Sequence, residues 1–344
     1  MLNGFNGMEI GGVLASLAVA LVLLSLAQPL GARLGVIDHP DERRKLHARP
    51  TPLVGGIAMM VPLLIWTALG LAWPALSDGA SIPLAVLVCG GGAALVGFLD
   101  DRAPYSPTIR FLALLLLSAL ALFLSPQLLP TQFHWGHLAP SPVAPWMSVI
   151  LVAIGTTGFV NSVNMADGQD GCVAGMFVIW SACIILAGGD SAADIAAILF
   201  VTGLAVLAFN LAGRVFLGGA GAYGVTFVFG LLILDLHNSW GVTAETIIVW
   251  LFLPIADCLR LLISRPLHGR SPFQGDRNHF HHRLHDRFGK GAGLAIYLGL
   301  VALPAFTATL KPDLAPDCLA VLALAYAGLM WLTSAAAIHA RRPV

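Results

Sequence analysis

Apolar stretches long enough to cross a hydrocarbon layer, which takes about 20 helical residues, recur from one end of this sequence to the other. They fall at 9–30, 53–73, 82–99, 110–129, 146–163, 172–188, 192–212, 221–236, 243–264, 291–309 and 318–338, with short polar connections between them. The pattern predicts an all-α polytopic membrane protein of about eleven transmembrane helices. The first span has no basic n-region, exceeds a signal-peptide core in length and precedes no cleavage pattern, so it is read as a retained helix near the start of the mature chain.

Composition agrees with this pattern. Of 344 residues 58% are hydrophobic and 10% charged, against roughly 25% charged in a soluble domain. One water-soluble core is excluded. Alternating the spans puts every Lys and Arg except Lys311 on one side, although the formal net charge is zero. Positive residues mark the cytoplasmic side, so the N-terminus is expected outside and the C-terminus inside. The five cysteines form no CxxC pair and lie in or near apolar spans, as buried thiols do.

The external connections carry little chemistry. The longest, 125–145, has five prolines and Trp135 but no Lys or Arg, and is expected to form a rigid cap. The internal segments hold nearly all the reactive side chains, within loops 31–52, 97–109, 161–172, 213–224 and 265–290 of a single membrane domain spanning 1–344.

GFLDDR (97–102) ends a span on Asp100 and Asp101, the chemistry of a hydrated helix end or of a divalent-cation or proton site. NSVNMADGQDG (161–171) spaces Asn164, Asp167 and Asp170 by three, along one helical face or one wall of a glycine-opened turn. Asn, Asp and Gly favour turns in any case. Carboxylates sunk toward an apolar layer, however, are costly without partners. FLGGAGAYG (216–224) suits close helix packing, or backbone N–H groups facing an anion. Residues 265–287 carry Arg277, His279, His281, His282, Arg283 and His285 without the HExxH spacing or cysteines of a zinc site. Imidazole and guanidinium donors at such spacing suit phosphate oxygens. Acids facing these cations suggest a phosphate-rich substrate bridged to the carboxylates by Mg2+.

GFLDDR, NSVNMADGQDG, PIADCLR (254–260) and above all SPFQGDRNHFHHRL (271–284) resemble the polyprenyl-phosphate N-acetylhexosamine-1-phosphate transferases, the membrane superfamily containing MraY and WecA, in its GlcNAc-type bacterial branch. The resemblance covers nearly the whole chain. It implies a bacterial inner-membrane enzyme with a cytoplasmic site. Such an enzyme joins a UDP-sugar to polyprenyl (undecaprenyl) phosphate, giving polyprenyl diphosphate sugar and UMP for envelope polysaccharide synthesis. The implied cofactor is Mg2+, or Mn2+ in its place. The implied partners are the two substrates and the bilayer, with no nucleic acid, and a homodimer is compatible.

By the same resemblance Asp100 is a candidate proton acceptor and Asp101 supports the metal and lipid site. Asn164 matches a metal ligand, and Asp167 and Asp170 match the catalytic acidic motif. His281 and His282 match catalytic positions, while Arg277 and His279 hold the diphosphate and sugar end, with Lys45 and His47 in a phosphate-binding loop. One position departs from the pattern: Gly219 stands where the family carries a metal-binding Asp, and Ala222 where it carries Ser. Water or a neighbouring carboxylate completing the metal shell, an inactivated chain and altered chemistry are all consistent with that change. A transporter using the acids as an ion site is the competing class, but such sites lie near the midplane rather than at span ends. An intramembrane aspartyl protease would need two facing acids; Asp235 and Asp257 are the available pair and sit in no supporting motif.

Overall fold

The computed structural model describes residues 7–40, 49–73, 82–136, 138–271 and 278–339. Thirteen helices and four two-residue strands are described. Helices α1 (Gly7–Ser25) and α2 (Ala27–Leu34) come first, then a hairpin of β1 (Ile37–Asp38) and β2 (Thr51–Pro52), and then α3 (Gly55–Ala72). Then follow α4 (Pro83–Arg102), α5 (Pro107–Leu124), the hairpin β3 (Gln132–Phe133) and β4 (Ser141–Pro142), α6 (Pro145–Ala166), α7 (Cys172–Ala187) and α8 (Asp190–Leu211). The chain ends with α9 (Ala220–Trp240), α10 (Ala244–Leu267), α11 (Phe280–Phe288), α12 (Lys290–Leu310) and α13 (Ala315–His339).

Ten of these are long and apolar enough to span a membrane, and α7 is an apolar helix of 16 residues between two of them. Together they occupy the eleven stretches read from the hydropathy pattern. The 125–145 connection contains the β3–β4 hairpin, which the prolines did not suggest; Pro142 sits in an isolated two-stranded ladder, where a missing N–H is tolerated.

Helix α9 is the centre of the bundle, with 94% of its most apolar window buried. Its Phe229 packs against Phe177 and Trp180 of α7, and Phe227 is buried in the same contiguous core. Its first turn is π-helical and approaches α3 and α4 backbone to backbone. A Cβ on Gly56 would overlap Gly221, and one on Gly224 would overlap Ala94. The glycine cluster therefore serves close helix packing.

Two ends of the bundle differ in what holds them. At one end the β1–β2 hairpin is stitched to the α8–α9 connection: Phe216 N donates to Pro52 O at 2.9 Å, and Gly55 N and Gly56 N donate to Phe216 O and Leu217 O at 3.0 and 2.7 Å. Here too, Asn210 Oδ1 accepts from Gly171 N at 2.6 Å and its Nδ2 donates to Val215 O at 2.9 Å, tying the α6–α7 turn to the α8 terminus. At the other end the β3–β4 hairpin is held by Ala244 N, which donates to His134 O at 2.8 Å, and by the His237 ring, whose nitrogens lie 2.7 and 3.2 Å from Val242 O and Gln132 O. Among the described residues, the acidic and histidine segments lie at the first end.

Candidate active site

Helix α4 ends in Asp100 and Asp101, which adjacent positions on a helix turn about 100° apart. They meet different partners. Asp100 Oδ2 pairs with the Arg110 guanidinium of α5 at 2.6 Å, and its Oδ1 accepts from Tyr105 N at 2.9 Å. The acid that the resemblance implies as a proton acceptor is thus also tied into the α4–α5 turn. Asp101 points the other way, toward α9, where its Oδ2 accepts from Gly219 N at 2.7 Å. The first N–H groups of a helix have no internal partner, so Asp101 caps the start of α9 from a neighbouring helix.

Gly219 explains how this contact is possible. It packs against the Gly97 backbone so closely that a Cβ at either residue would overlap the other's carbonyl. Gly218, in left-handed conformation at φ 71°, turns the chain beneath the Asp101 carboxylate.

The last turn of α6 carries Asn164, half-buried, and the helix stops at Asp167. Gly171 supplies the left-handed turn, φ 81°, that starts α7. Asp170 pairs with Lys290 Nζ at 2.7 Å. Asp167, just past the last residue of α6, is exposed to solvent, yet the protein around its carboxyl partly desolvates it. That desolvation, then the charge of Asp101, then that of Asp170, pushes its carboxyl up from 3.8 to about 7. Asp101, Asp167 and Asp170 supply carboxylate oxygens of the kind that suit a hard cation, and the charges of the first and last disfavour ionisation of the second. Among the described residues no three acidic, His or Cys side chains converge closely enough to enclose an ion. The set matches the Mg2+ mode in which one or two carboxylates act with water and substrate phosphate.

The histidine motif folds as the start of α11. Its rings form an array: His279 stacks on His281 with centroids 5.4 Å apart and planes 16° apart, and His281 lies 4.2 Å from His282. His279 and His281 are buried, and His282 is half-buried. The array meets the acidic segment at one point. A Cβ on Gly168 would lie 2.7 Å from His281 Nε2 and 3.2 Å from His282 Nε2, so the two imidazoles lean on the backbone between Asp167 and Asp170.

Asp257 of α10, set aside in the sequence as an acid without a motif, holds this array. Its Oδ2 accepts from Phe280 N at 3.1 Å and contacts His279 Nδ1 at 3.0 Å. Its Oδ1 accepts from Arg260 Nε and a terminal guanidinium nitrogen at 3.1 and 2.7 Å, and from Tyr326 Oη at 3.3 Å. Asp235, at the other end of α9, accepts from Ser239 Oγ, so the two acids form no facing dyad. Asp257, Arg260, Arg110, Lys290 and Tyr326 were not chosen from the sequence. The one signal was PIADCLR, which carries two of them three residues apart on one helical face. Lys45, His47 and Arg277 lie outside the described residues.

An apolar cavity of about 430 Å3 lies between α6, α9 and α10, lined among others by Val152, Phe159, Ile233, Leu251, Ile255 and Leu259. It starts beside Leu259, the neighbour of Arg260, and extends to Pro130 at the far end of the bundle.

Residues 83–237 match the model of the family described as Glycosyl transferase family 4. Over 313 residues the chain is 27% identical to decaprenyl-phosphate N-acetylglucosaminephosphotransferase of Mycobacterium tuberculosis, covering 79% of this chain and 75% of that one. It is 26% identical over 281 residues to a probable undecaprenyl-phosphate N-acetylglucosaminyl 1-phosphate transferase of Bacillus subtilis, covering 79% and 75%. It is 27% identical over 282 residues to the undecaprenyl-phosphate alpha-N-acetylglucosaminyl 1-phosphate transferase of Yersinia pestis, covering 76% and 73%.

Proposed function

We propose, from the match of residues 83–237 to glycosyl transferase family 4, that the chain transfers N-acetylglucosamine 1-phosphate from UDP-N-acetylglucosamine to polyprenyl phosphate at the cytoplasmic face of a bacterial inner membrane. A lipid phosphate oxygen attacks the sugar-bearing phosphorus, the bond from that phosphorus to the bridging oxygen breaks, and UMP leaves with that oxygen. The products are UMP and polyprenyl diphosphate sugar.

The observation that carries this reading is the contact of His281 and His282 with Gly168. It brings paired imidazoles, donors to phosphate oxygen, against a turn flanked by Asp167 and Asp170. A phosphate monoester has its second pKa near 6, so the acceptor is largely ionised at neutral pH and needs little base catalysis. That suits an Asp100 already committed to Arg110 and Tyr105 N. The protein's task is to orient two anions and offset their charge.

Asp101 and Asp167, with Asn164, would hold a hydrated Mg2+. When bound, the ion offsets the combined charge of the two substrates' phosphates. The imidazoles of His281 and His282 donate to the sugar-bearing phosphate and to the charge that builds on the leaving oxygen. The apolar cavity between α6, α9 and α10 suits the isoprenoid chain, since it runs from the level of Arg260 through the depth of the bundle. An ion transporter would need its acids near the middle of the spans, whereas Asp100, Asp101, Asp167 and Asp170 sit at helix ends.

The test is UMP release by the purified chain given polyprenyl phosphate and a panel of UDP-sugars, with and without Mg2+. Release that needs both the lipid and UDP-N-acetylglucosamine supports the reading. Release that ignores the lipid overturns it.

A further inference from the structure

We propose that Asp257 is a positioning residue for the transfer: it fixes the protonation of His279 and, through that ring, the placement of His281 and His282. The inference rests on the reading given under Proposed function and adds to it a residue that does not itself touch substrate.

The carboxylate of Asp257 is buried, and every group the structure sets against it is a donor or a ring nitrogen able to donate. An ionised carboxylate can only accept hydrogen bonds. His279 Nδ1, 3.0 Å from Oδ2, therefore carries its proton. The tautomer of His279 is thus imposed by Asp257, in the manner by which an orienting carboxylate fixes a catalytic imidazole.

The same oxygen also accepts from Phe280 N, the first backbone N–H of α11. No side chain caps that helix from within, since His279 at its N-cap makes no capping bond. Asp257 supplies the cap from α10 and so sets where α11 begins. Arg260 adds a second tether, donating to Asn278 O at 2.6 Å, and Arg283 Nε and a terminal nitrogen hold the Asn278 side-chain oxygen at 2.9 and 2.6 Å. The ring on which His281 stacks is therefore locked in position and proton state. Beyond that stack lies the contact of His281 and His282 with Gly168. The chain of contact runs Asp257, His279, His281, Gly168, from the middle of one span to the acidic turn.

Asn at 257 keeps the size of the side chain but offers an amide where His279 and Phe280 need an acceptor. Turned the other way, it loses Arg260. The test uses the full chain in lipid nanodiscs, as native protein, Asp257→Asn, His279→Asn and the double variant. Asp257→Asn is expected to lower kcat for UMP release on the order of 10- to 100-fold, as loss of orienting partners does, with a smaller change in KM for the UDP-sugar. The double variant is expected to lose no more than the worse single one, because both act through one ring. Ring 15N shifts of histidine-labelled protein, with the His279 signals identified by their loss in His279→Asn, are expected to show a protonated Nδ1 in the native chain and its loss in Asp257→Asn.

Losses that multiply in the double variant, or a native His279 with bare Nδ1, would overturn the proposal. The native spectrum decides alone if Asp257→Asn does not fold. If the native chain releases no UMP with any UDP-sugar, the transferase reading fails, while the 15N measurement still tests the Asp257–His279 relation separately.

Discussion

Gly219 N donates to Asp101 Oδ2 at 2.7 Å, from a backbone that lies directly on Gly97. The resemblance implies an aspartate at this position, and restoring one is the obvious experiment. The packing predicts that it fails. A side chain at 219 meets backbone of α4 rather than open space, and overpacking of this kind costs about 1–3 kcal/mol or more. Gly219→Asp is expected to lower the unfolding temperature and to give no gain in Mg2+-dependent UMP release. A well-folded variant with higher turnover would show that α4 yields and that the missing carboxylate limits the native chain.

His281→Ala and His282→Ala are expected to cut turnover by about 30- to 1000-fold, the equivalent of about 2–4 kcal/mol of barrier. His237→Ala is expected to act on stability instead. Its ring holds Val242 O and Gln132 O at the far end of the bundle, and removing such a partner costs about 1–3 kcal/mol. Steady-state kinetics beside thermal unfolding separates the two effects. Equal kinetic losses at all three positions would remove the histidine array from the chemistry.

Asp167 makes stability depend on pH and on divalent cations. Its carboxyl titrates at about 7 in the folded chain, against 3.8 ordinarily, so the folded state keeps a proton that the unfolded state has lost over that interval. Its contribution is fully present below the lower value and is lost as pH rises through the higher one. Without divalent cation, the unfolding temperature is expected to fall as pH rises between about 4 and 7, and Asp167→Asn to flatten that slope. Added Mg2+ is expected to raise it most on the alkaline side. An identical slope in native and Asp167→Asn protein would contradict the assignment.

Segregation of Lys and Arg predicts an external N-terminus and a cytoplasmic α10–α12 connection. In intact cells, a cysteine-free background carrying Arg270→Cys is expected to resist an impermeant thiol reagent until the membrane is opened. Labelling from outside would invert the orientation and move the site to the wrong face for a nucleotide sugar.

The spans were legible because each needs only a run of apolar residues, and even the 16-residue α7 stood out between Gly171 and Gly188. Carboxylates and imidazoles were legible as chemistry because an apolar chain exposes every exception. Their partners were not. Asp100 gave no local hint of Arg110, which α5 brings to it, and Asp257 looked isolated until residues 279, 280 and 326 converged on it. Gly219 read as a missing ligand, while its contact with Gly97 spans more than a hundred residues of chain and leaves no local pattern. Local periodicity reports the burial of a face; it carries no information about which distant face covers it.

The most direct test of the central claim follows the phosphorus. UDP-N-acetylglucosamine labelled with 32P at the sugar-bearing phosphate is incubated with the purified chain, polyprenyl phosphate and Mg2+, and the organic and aqueous phases are counted. Transfer of the sugar phosphate predicts label in the lipid phase in equal amount to the UMP formed, with none in the absence of polyprenyl phosphate. Label that stays in water as UDP while the sugar alone enters the lipid, or that enters no lipid at all, would contradict it.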